Sequence, residues 1–220
     1  MIFTSKALLF DVDGVLVDST PSVARVWRRW ALERNLDPEL VIAQAHGRRS
    51  IETIRQFAPH LDAEQENLYV ENLEIADKEG IIPIPGALEL LRQLPADRFA
   101  VITSGTRALA MARLQYAGFP WPRHSVTADD VVNGKPSPEP YLKGAALVAA
   151  AAGDCLVFED TPAGIKSARA AGMPVIALST TLSAKELSGA DAVLRSFDGV
   201  AATLADGKLQ LVVKPNERDI

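Results

Sequence analysis

Short apolar runs recur along the chain between stretches that have helical periodicity. They are rich in Val, Ile, Leu and Phe and occupy residues 7–12, 99–103, 125–128, 155–158, 174–178 and 192–194. Runs that are apolar at consecutive positions are typical of strands covered on both faces, and helices between such strands provide parallel crossovers. The pattern therefore predicts an α/β fold built on a doubly wound parallel sheet.

One region interrupts this alternation, because residues 18–82 show helical patterns and no strand signal. The first helix there carries an apolar stripe at helical spacing, formed by Val23, Val26, Trp27, Trp30 and Ala31. Such a stripe indicates core packing within a helical unit. We expect an inserted all-helical domain at residues 18–82 and a core domain formed by residues 1–17 and 83–220.

The remaining pattern predicts the other elements of the core domain. Helices are expected at residues 85–94, 107–117, 138–151, 162–171 and 184–187. Near the C-terminus, Asp206 and Gly207 form a turn signal before an alternating run, which predicts a terminal hairpin or edge strand. Residues 214–220 are expected to be frayed.

The composition excludes several classes of protein. The 220 residues are 48% hydrophobic and 23% charged, as in ordinary folded domains, and the net charge of −5 gives no general attraction to nucleic acid or anionic membranes. The uncharged run at 170–184 is shorter than the roughly 20 residues that span a bilayer, and the first residues lack a leader pattern. The single Cys155 cannot form an internal disulfide and is expected in a buried strand. We expect a cytoplasmic monomer that binds neither nucleic acid nor membrane.

Two acidic pairs follow predicted strands. Asp11 and Asp13 precede Gly14 after the first run, and Glu159 and Asp160 end another. The carboxyl ends of parallel strands meet at one edge, where open α/β sheets bind ligands, so Asp11, Asp13 and Asp160 should converge. No His or Cys lies near them in the sequence, which favours Mg²⁺ over zinc. Glu159 faces the other way along an ideal strand, which indicates a supporting role, and helix or turn capping remains the alternative for each aspartate.

Two further loops offer groups for an anion. Residues 103–106 place hydroxyls and a glycine amide before a helix N-terminus, a position that favours negative charge. Lys135 lies between Gly134 and Pro136, so its backbone is restrained just before another predicted helix. Each signal is weak alone, because a Thr-Ser-Gly-Thr run also serves as a helix cap and a single loop lysine is usually solvated.

In this order, the motifs resemble those of the haloacid dehalogenase superfamily of phosphohydrolases, in the subgroup with a helical cap inserted after the first motif. The matching stretches are residues 11–15, 18–19, 104–105, 135–136, 159–164 and 171–173. The resemblance covers nearly the whole chain. It implies a Rossmann-like doubly wound core with an inserted helical cap domain.

Other stretches are similar to the sugar and polyol phosphatases of that superfamily. They are residues 46–50, 85–87, 100–107 and 134–142. The similarity implies a Mg²⁺-dependent hydrolase of phosphoric monoesters, with a small sugar or polyol phosphate of the glycerol phosphate or hexose phosphate type as substrate. The reaction would pass through an aspartyl phosphate.

The resemblance also implies catalytic and metal-binding roles. Asp11 would attack phosphorus, and Asp13 would protonate the leaving alcohol and later deprotonate the attacking water. Magnesium would be held by the carboxylates of Asp11 and Asp160 and by the backbone carbonyl of Asp13.

Substrate-binding residues follow from the same resemblance. Ser104, the amide of Gly105 and Lys135 would bind the phosphoryl oxygens. His46 and Arg49, in the cap, would contact other substrate oxygens.

Three other functions compete with this interpretation. A phosphosugar mutase of the same superfamily would resemble the catalytic body, but mutases of that type carry a histidine where Val23 stands. Phosphonate hydrolysis in the superfamily uses a cap lysine. It is disfavoured here because Lys78, near the end of the insert, is the single lysine between Asp18 and Pro85. A non-catalytic phosphoacceptor module would share the acids and the lysine, but its acceptor lies on a middle strand. Dinucleotide binding is excluded by the absence of a glycine-rich fingerprint.

Overall fold

A computed structural model describes residues 1–213 of the chain. Its strands and helices, in chain order, are β1 (Ile2–Ser5), β2 (Ala7–Phe10), β3 (Val17–Asp18), α1 (Thr20–Glu33), α2 (Pro38–Ala45), α3 (Ser50–Phe57), α4 (Ala63–Ala76), β4 (Ile82–Pro83), α5 (Ala87–Gln93), β5 (Phe99–Ile102), α6 (Arg107–Tyr116), β6 (Ser125–Val126), α7 (Glu139–Leu147), β7 (Cys155–Glu159), α8 (Pro162–Ala170), β8 (Val175–Leu178), β9 (Ala192–Leu194), β10 (Val200–Ala205) and β11 (Lys208–Val213). Short 3₁₀ turns occupy Ala128–Asp130 and Ala152–Asp154.

The main sheet has six parallel strands in the order β6-β5-β2-β7-β8-β9. The predicted doubly wound α/β sheet is therefore confirmed. Strand β2, the first in the chain among these, lies between β5 and β7, so the chain reverses its direction of growth beside it. Ligands bind at such switch points, outside the carboxyl ends of the strands.

Apolar side chains fill both faces of this sheet. On β2, Leu8 and Phe10 belong to one buried cluster, whereas Ala7 and Leu9 belong to another on the opposite face. Because successive strand residues point to opposite faces, a strand covered on both sides needs apolar residues at every position. Cys155 is part of the second cluster and is a buried free thiol, as expected.

Helices α1–α4 form a separate apolar cluster of their own. It is centred on Trp27 and Trp30, whose rings meet edge to face with centroids 5.4 Å apart, and it includes Val41, Ile54 and Val70. The chain leaves the sheet through β3 and returns through β4, and these two strands pair antiparallel. The expected domain boundaries at residues 17/18 and 82/83 fall in this two-stranded ribbon and stay a prediction.

Three predicted helices differ from the observed structure. Residues 184–187 are not a helix but a turn, in which the Ser183 carbonyl accepts from the amides of Glu186 and Leu187. Helix α5 begins at Ala87 rather than at residue 85, because the Pro85 carbonyl accepts from Phe197 N instead of starting the helix.

The predicted helix at residues 138–151 is also too long. Helix α7 ends at Leu147, and Ala149 follows in the left-handed region with φ of 51°. The Ala150 amide then donates to the Ala145 carbonyl, which closes the helix end. That conformation normally selects glycine, so an alanine there gives no stop signal in the sequence.

The predicted terminal hairpin is present as β10 and β11, which pair around Asp206 and Gly207. Strand β1 was missed: it pairs with β11 and completes a three-stranded antiparallel sheet that joins the two ends of the described chain. The expectation for residues 214–220 lies outside the described residues. Within residues 1–213, no helix has both the length and the hydropathy that crossing a membrane requires.

Phe158 provides a test of the layered core. Its ring stacks on Phe10 with centroids 4.9 Å apart and an interplanar angle of 4°, and both side chains are fully buried. We expect Phe158→Ala to lower the free energy of unfolding by about 3–5 kcal/mol, because the change removes buried apolar area and leaves a cavity. Urea denaturation followed by circular dichroism measures the loss.

The matched control is Met111→Ala on α6, where the side chain is 48% exposed. Its loss of unfolding free energy should stay below about 1 kcal/mol. Equal losses for the two variants would contradict the stacked arrangement.

Candidate active site

Two neighbouring strands bring acidic side chains together at the carboxyl edge of the sheet. Asp11 follows β2 and Asp160 follows β7, and the Asp11 amide continues the ladder by donating to the Phe158 carbonyl at 3.0 Å. Oxygen atoms of Asp11, Glu159 and Asp160 all lie within 4.8 Å of one another, and all three residues are buried. The sequence-predicted pair Asp11 and Asp160 is thus close in space, and Glu159 joins it.

Lys135 lies inside this cluster. Its Nζ donates to Asp11 Oδ1 at 2.7 Å and to Glu159 Oε1 at 2.5 Å, and the side chain is almost entirely buried. Burial disfavours the charged form of Lys135, but Asp11 and Glu159 outweigh burial and raise the pKa of the lysine. Lys135 is therefore a permanent cation beside Asp11.

Glu159 holds Lys135 in place. Besides the lysine, its carboxylate accepts from the Tyr141 hydroxyl at 2.7 Å and from the amides of Asp160 and Thr161. Burial raises the pKa of Glu159, but Lys135 and these hydrogen bonds outweigh it and hold the pKa below its usual value. This charged carboxylate orients the lysine, in keeping with the supporting position expected from strand alternation.

Asp13 contacts Ser19, which lies in one of the matching motifs, and Arg113, which the sequence did not indicate. Its Oδ1 accepts from Ser19 Oγ at 2.6 Å and its Oδ2 from Arg113 Nη1 at 2.6 Å. The same guanidinium donates through Nη2 to Glu74 Oε1 at 3.1 Å. Arg113 and Glu74 sit in ordinary helical patterns on α6 and α4, so no local signal marks them.

The turn after Asp13 requires a glycine. Gly14 has φ of +76°, and a Cβ there would lie 2.0 Å from Asp160 Oδ2. The Gly14 carbonyl accepts from Thr180 Oγ1, and Thr181 Oγ1 donates to Asp160 Oδ2 at 2.7 Å. Because Gly14 has no side chain, the loop that carries Asp11 and Asp13 can lie directly against Asp160.

The loop of hydroxyl residues at 103–106, here called the hydroxyl loop, lies between β5 and α6. Thr106 is the N-cap of α6, and its side chain accepts from the Leu109 amide. The alternative role of the Thr-Ser-Gly-Thr run as a helix cap is therefore confirmed for Thr106. Ser104 Oγ donates to the Gly47 carbonyl at 3.1 Å, and the Gly105 amide donates to Thr103 Oγ1 at 3.0 Å. Ser104 and Gly105 border the same cavities as the helical insert, and their part in binding phosphate stays a prediction.

His46 and Arg49 connect the helical insert to this edge of the sheet. His46 Nε2 lies 3.1 Å from Asp160 Oδ2, and Arg49 Nη1 donates to the Val132 carbonyl at 3.1 Å. Burial lowers the pKa of His46, but Asp160 and the other acids outweigh burial and raise it. The expectation that no histidine lies near the acids is wrong in space, because the insert folds back over residues distant in sequence.

The electrostatics of Asp11 test whether a cation fits. Burial raises the pKa of Asp11 well above its usual value, Lys135 opposes this, and Glu159, Asp160 and Asp13 raise it further. Asp160 Oδ1 is buried and has no hydrogen-bond partner among residues 1–213. An unpartnered carboxylate oxygen beside a second buried carboxylate suits a hard divalent cation, whose positive charge would lower the pKa of Asp11.

Two adjoining cavities lie between the insert and the core, and the smaller one reaches Asp13. One, of about 40 Å³, is bordered by Asp13, His46 and Gly105, and the other, of about 150 Å³, by Arg49, Ser104 and Thr106. A more apolar cavity of about 250 Å³ beside Trp121 is lined by none of the acids. A small molecule that reaches Asp13 therefore lies under the helical insert.

Comparisons with known proteins bear on this site. Residues 5–172 match the model of the haloacid dehalogenase-like hydrolases. Hexitol phosphatase A of Escherichia coli (strain K12) is 41% identical over 203 residues, which are 90% of this chain and 94% of that protein. Glycerol-1-phosphate phosphohydrolase 2 of Saccharomyces cerevisiae is 37% identical over 212 residues, covering 89% of this chain and 84% of that protein.

Solved structures include a similar molecule as well. A hydrolase from Pseudomonas syringae has a TM-score of 0.79 and 25% identity, over 86% of this chain and 93% of that one. The similarity thus extends through the sheet and the helical insert.

Gly164 provides a test of the Glu159 anchor. A Cβ at Gly164 would lie 1.8 Å from Glu159 Oε1, the oxygen that holds Lys135. Alanine is the better helix former by about 1 kcal/mol, so a purely local effect would stabilise the protein. We expect Gly164→Ala instead to lower the free energy of unfolding by about 1 kcal/mol or more, because Glu159 must be displaced.

Gly153→Ala is the control, since a Cβ there meets just one described atom, the Gly172 carbonyl oxygen at 4.0 Å. Its free energy of unfolding should change by less than about 0.5 kcal/mol. A stabilised Gly164→Ala protein would show that the anchor is absent. Chemical denaturation of both variants measures these changes in the free energy of unfolding.

Proposed function

This chain belongs to the haloacid dehalogenase-like hydrolase family, and on that premise we propose that it is a phosphatase of small sugar or polyol phosphate monoesters. The observation that carries the proposal is the position of Asp11, a buried carboxylate at the carboxyl edge of the sheet between Lys135 and Asp160. The named activities of the hexitol and glycerol-1-phosphate relatives support the substrate class.

In the first step, an oxygen of Asp11 forms a bond to phosphorus while the bond from phosphorus to the ester oxygen breaks. The electron pair of the broken bond stays on the ester oxygen. Asp13, starting in its protonated form, gives that oxygen a proton, so a neutral alcohol leaves and an aspartyl phosphate remains.

In the second step, water attacks the phosphorus of the aspartyl phosphate and gives a proton to Asp13. The bond from phosphorus to Asp11 breaks, inorganic phosphate forms, and both carboxyl groups return to their starting states. Ser19 and Arg113 each donate to the Asp13 carboxyl group at 2.6 Å and so fix its orientation.

The phosphoryl group carries negative charge that the site must balance. Lys135 supplies a fixed cation, and we assign Ser104 and the Gly105 amide as hydrogen-bond donors to the phosphoryl oxygens. Ser104 Oγ donates to the Gly47 carbonyl and the Gly105 amide to Thr103 Oγ1, and in this proposal both donors would turn to the phosphoryl oxygens.

Mg²⁺ is the cation that we propose for the acidic cluster. The carboxylates of Asp11 and Asp160 and the backbone carbonyl of Asp13 would hold it, an all-oxygen set that magnesium favours. When bound, it supplies positive charge that keeps Asp11 ionised and offsets charge on the phosphoryl oxygens.

The helical insert, residues 18–82, serves in this proposal as a cap that closes over the substrate and excludes water. His46 and Arg49 already join it to the sheet edge, which supports their assignment as contacts to substrate oxygens. We also propose that the enzyme works as a monomer in the cytoplasm. Its net charge of −5 and single cysteine are consistent with that location.

The mutase alternative is not favoured. The histidine of the superfamily mutases is replaced by Val23, which is buried against the tryptophans of the insert and cannot transfer a proton. A non-catalytic phosphoacceptor is distinguished by its product, because it would keep the phosphoryl group on Asp11 instead of releasing phosphate.

Asp11→Asn tests the nucleophile. The amide cannot displace the ester oxygen, so we expect kcat on glycerol 1-phosphate to fall by about 10³-fold or more. The circular dichroism spectrum should stay native, because the amide fits the same space. The assay is phosphate release with Mg²⁺, and Asp97→Asn, a change at an exposed carboxylate, is the control that should keep wild-type turnover. Substantial phosphate release by Asp11→Asn would contradict the assignment.

Metal removal and return test the acidic cluster. After treatment with a chelator, wild-type protein titrated with Mg²⁺ should show a rising thermal midpoint, because a ligand that binds the folded state at about 100 times its Kd adds about 2.7 kcal/mol. Asp160→Asn should rise much less. Asp97→Asn, remote from the cluster, should respond like wild type, and a full response from Asp160→Asn would place the cation elsewhere.

A further inference from the structure

A row of charged side chains, Asp13, Arg113 and Glu74, links the sheet edge to the helical insert. Arg113 on α6 donates to Asp13 Oδ2 at 2.6 Å and to Glu74 Oε1 at 3.1 Å. Arg113 is 5% exposed and Glu74 is 3% exposed. Asp13 belongs to the core and Glu74 to α4 of the insert, so the guanidinium is shared between the two parts of the site.

This row of charged side chains lines the small cavity that Asp13 borders. The other walls of the cavity, of about 40 Å³, include the apolar side chains Val23, Trp27 and Leu109 and the hydroxyl residue Ser50. The leaving alcohol has to lie here, because its oxygen must reach Asp13. The cavity lining therefore offers apolar side chains that can pack against carbon atoms and charged side chains that can bind hydroxyl groups.

Glu74 and Arg113 both keep unused hydrogen-bonding capacity. Among residues 1–213, Arg113 Nε is buried without an acceptor. Glu74 accepts from Arg113 through Oε1, and the second oxygen of a carboxylate can accept from a ligand. Burial raises the pKa of Glu74, which Arg113 partly offsets. Buried polar groups cost free energy when they lack partners, so a ligand that supplies both a donor and an acceptor would be favoured here.

Stability alone does not account for this pair. A buried ion pair contributes little to folding compared with apolar side chains of the same volume. A hydroxyl group, in contrast, donates to a carboxylate and accepts from a guanidinium at the same time. A polyol offers several such groups along a carbon chain, which matches a cavity lined by both charged and apolar side chains.

We propose that Glu74 and Arg113 determine specificity by binding hydroxyl groups of the leaving polyol, with the carboxylate accepting from a hydroxyl and the guanidinium donating to one. The inference rests on the proposed phosphatase function and deepens it. A substrate without these hydroxyls leaves Arg113 Nε without an acceptor, and sites built to bind a hydroxyl discriminate strongly against analogues that lack it. The small cavity favours short polyols, and the adjoining cavity of about 150 Å³ gives longer ones room to extend.

The test compares two substrates of equal carbon number, glycerol 1-phosphate and n-propyl phosphate, the second of which lacks free hydroxyls. In wild type we expect kcat/KM to favour glycerol 1-phosphate. In Glu74→Gln the ratio of the two kcat/KM values should fall by about tenfold or more, because a charged acceptor for the hydroxyl is lost. Calorimetric titration of both esters into Asp11→Asn protein, with and without Glu74→Gln, should show the same fall in the ratio of Kd values.

Tyr116→Phe is the matched control. Tyr116 on α6 donates to the carbonyl of Ile75, the residue after Glu74, so the change weakens the same attachment of the insert without touching the cavity. Its substrate ratio should equal that of wild type. A ratio that falls as far in Tyr116→Phe as in Glu74→Gln would assign the effect to the attachment and overturn the proposal.

The remaining outcomes separate the inference from the function on which it rests. Equal loss of activity on both esters in Glu74→Gln, with the ratio unchanged, would overturn the specificity role and leave the phosphatase intact. No phosphate release by wild type from either ester would overturn the proposed function itself. If Glu74→Gln does not fold, Glu74→Met, which keeps the buried volume, takes its place with the same expected ratio.

Discussion

Like charges gathered in a buried place set the main constraint on this structure. Asp11, Glu159 and Asp160 lie within 4.8 Å of one another, and Lys135 contacts two of them. Burial and mutual repulsion raise the pKa of Asp11, so the cluster works as a nucleophilic site only with positive charge beside it. Lys135 provides part of that charge permanently, and a divalent cation would provide the rest. Glu159 accepts a hydrogen bond from Lys135, which lowers the pKa of Glu159, whereas burial raises the pKa of Asp11.

The sheet topology makes this cluster unavoidable. Strands β2 and β7 are neighbours with Phe10 opposite Phe158, so the residue after each strand emerges at the same place. The apolar layers on both faces, with the stacked Phe10 and Phe158 rings, keep these strand ends fixed. The apolar packing that stabilises these strands thus ends one residue before the acids. Because rigid strands hold the site, it can contain carboxylates whose burial and mutual repulsion are unfavourable.

The helical insert completes the chemistry rather than merely covering it. Its contacts with the core include His46 with Asp160, Arg49 with Val132, Glu71 with Thr106 and Glu74 with Arg113. These contacts reach Asp160 of the acidic cluster, the loop that carries Lys135, the hydroxyl loop and, through Arg113, Asp13. Side chains from both the insert and the core therefore contribute to the site.

The local pattern of the sequence determined the parallel sheet, the helical insert and the acids, lysine and hydroxyls that follow strands, because periodicity and strand ends are properties of neighbouring residues. It could not locate strand β1, whose pairing with β11 joins residues about as far apart as the described chain allows. Nor could it mark Arg113 and Glu74, which look like ordinary helical residues until α4 and α6 pack together. His46 was nominated from the resemblance, but its contact with Asp160 was not predicted. Contacts between helices of the insert and the core depend on how folded elements pack, and only the tertiary structure decided them.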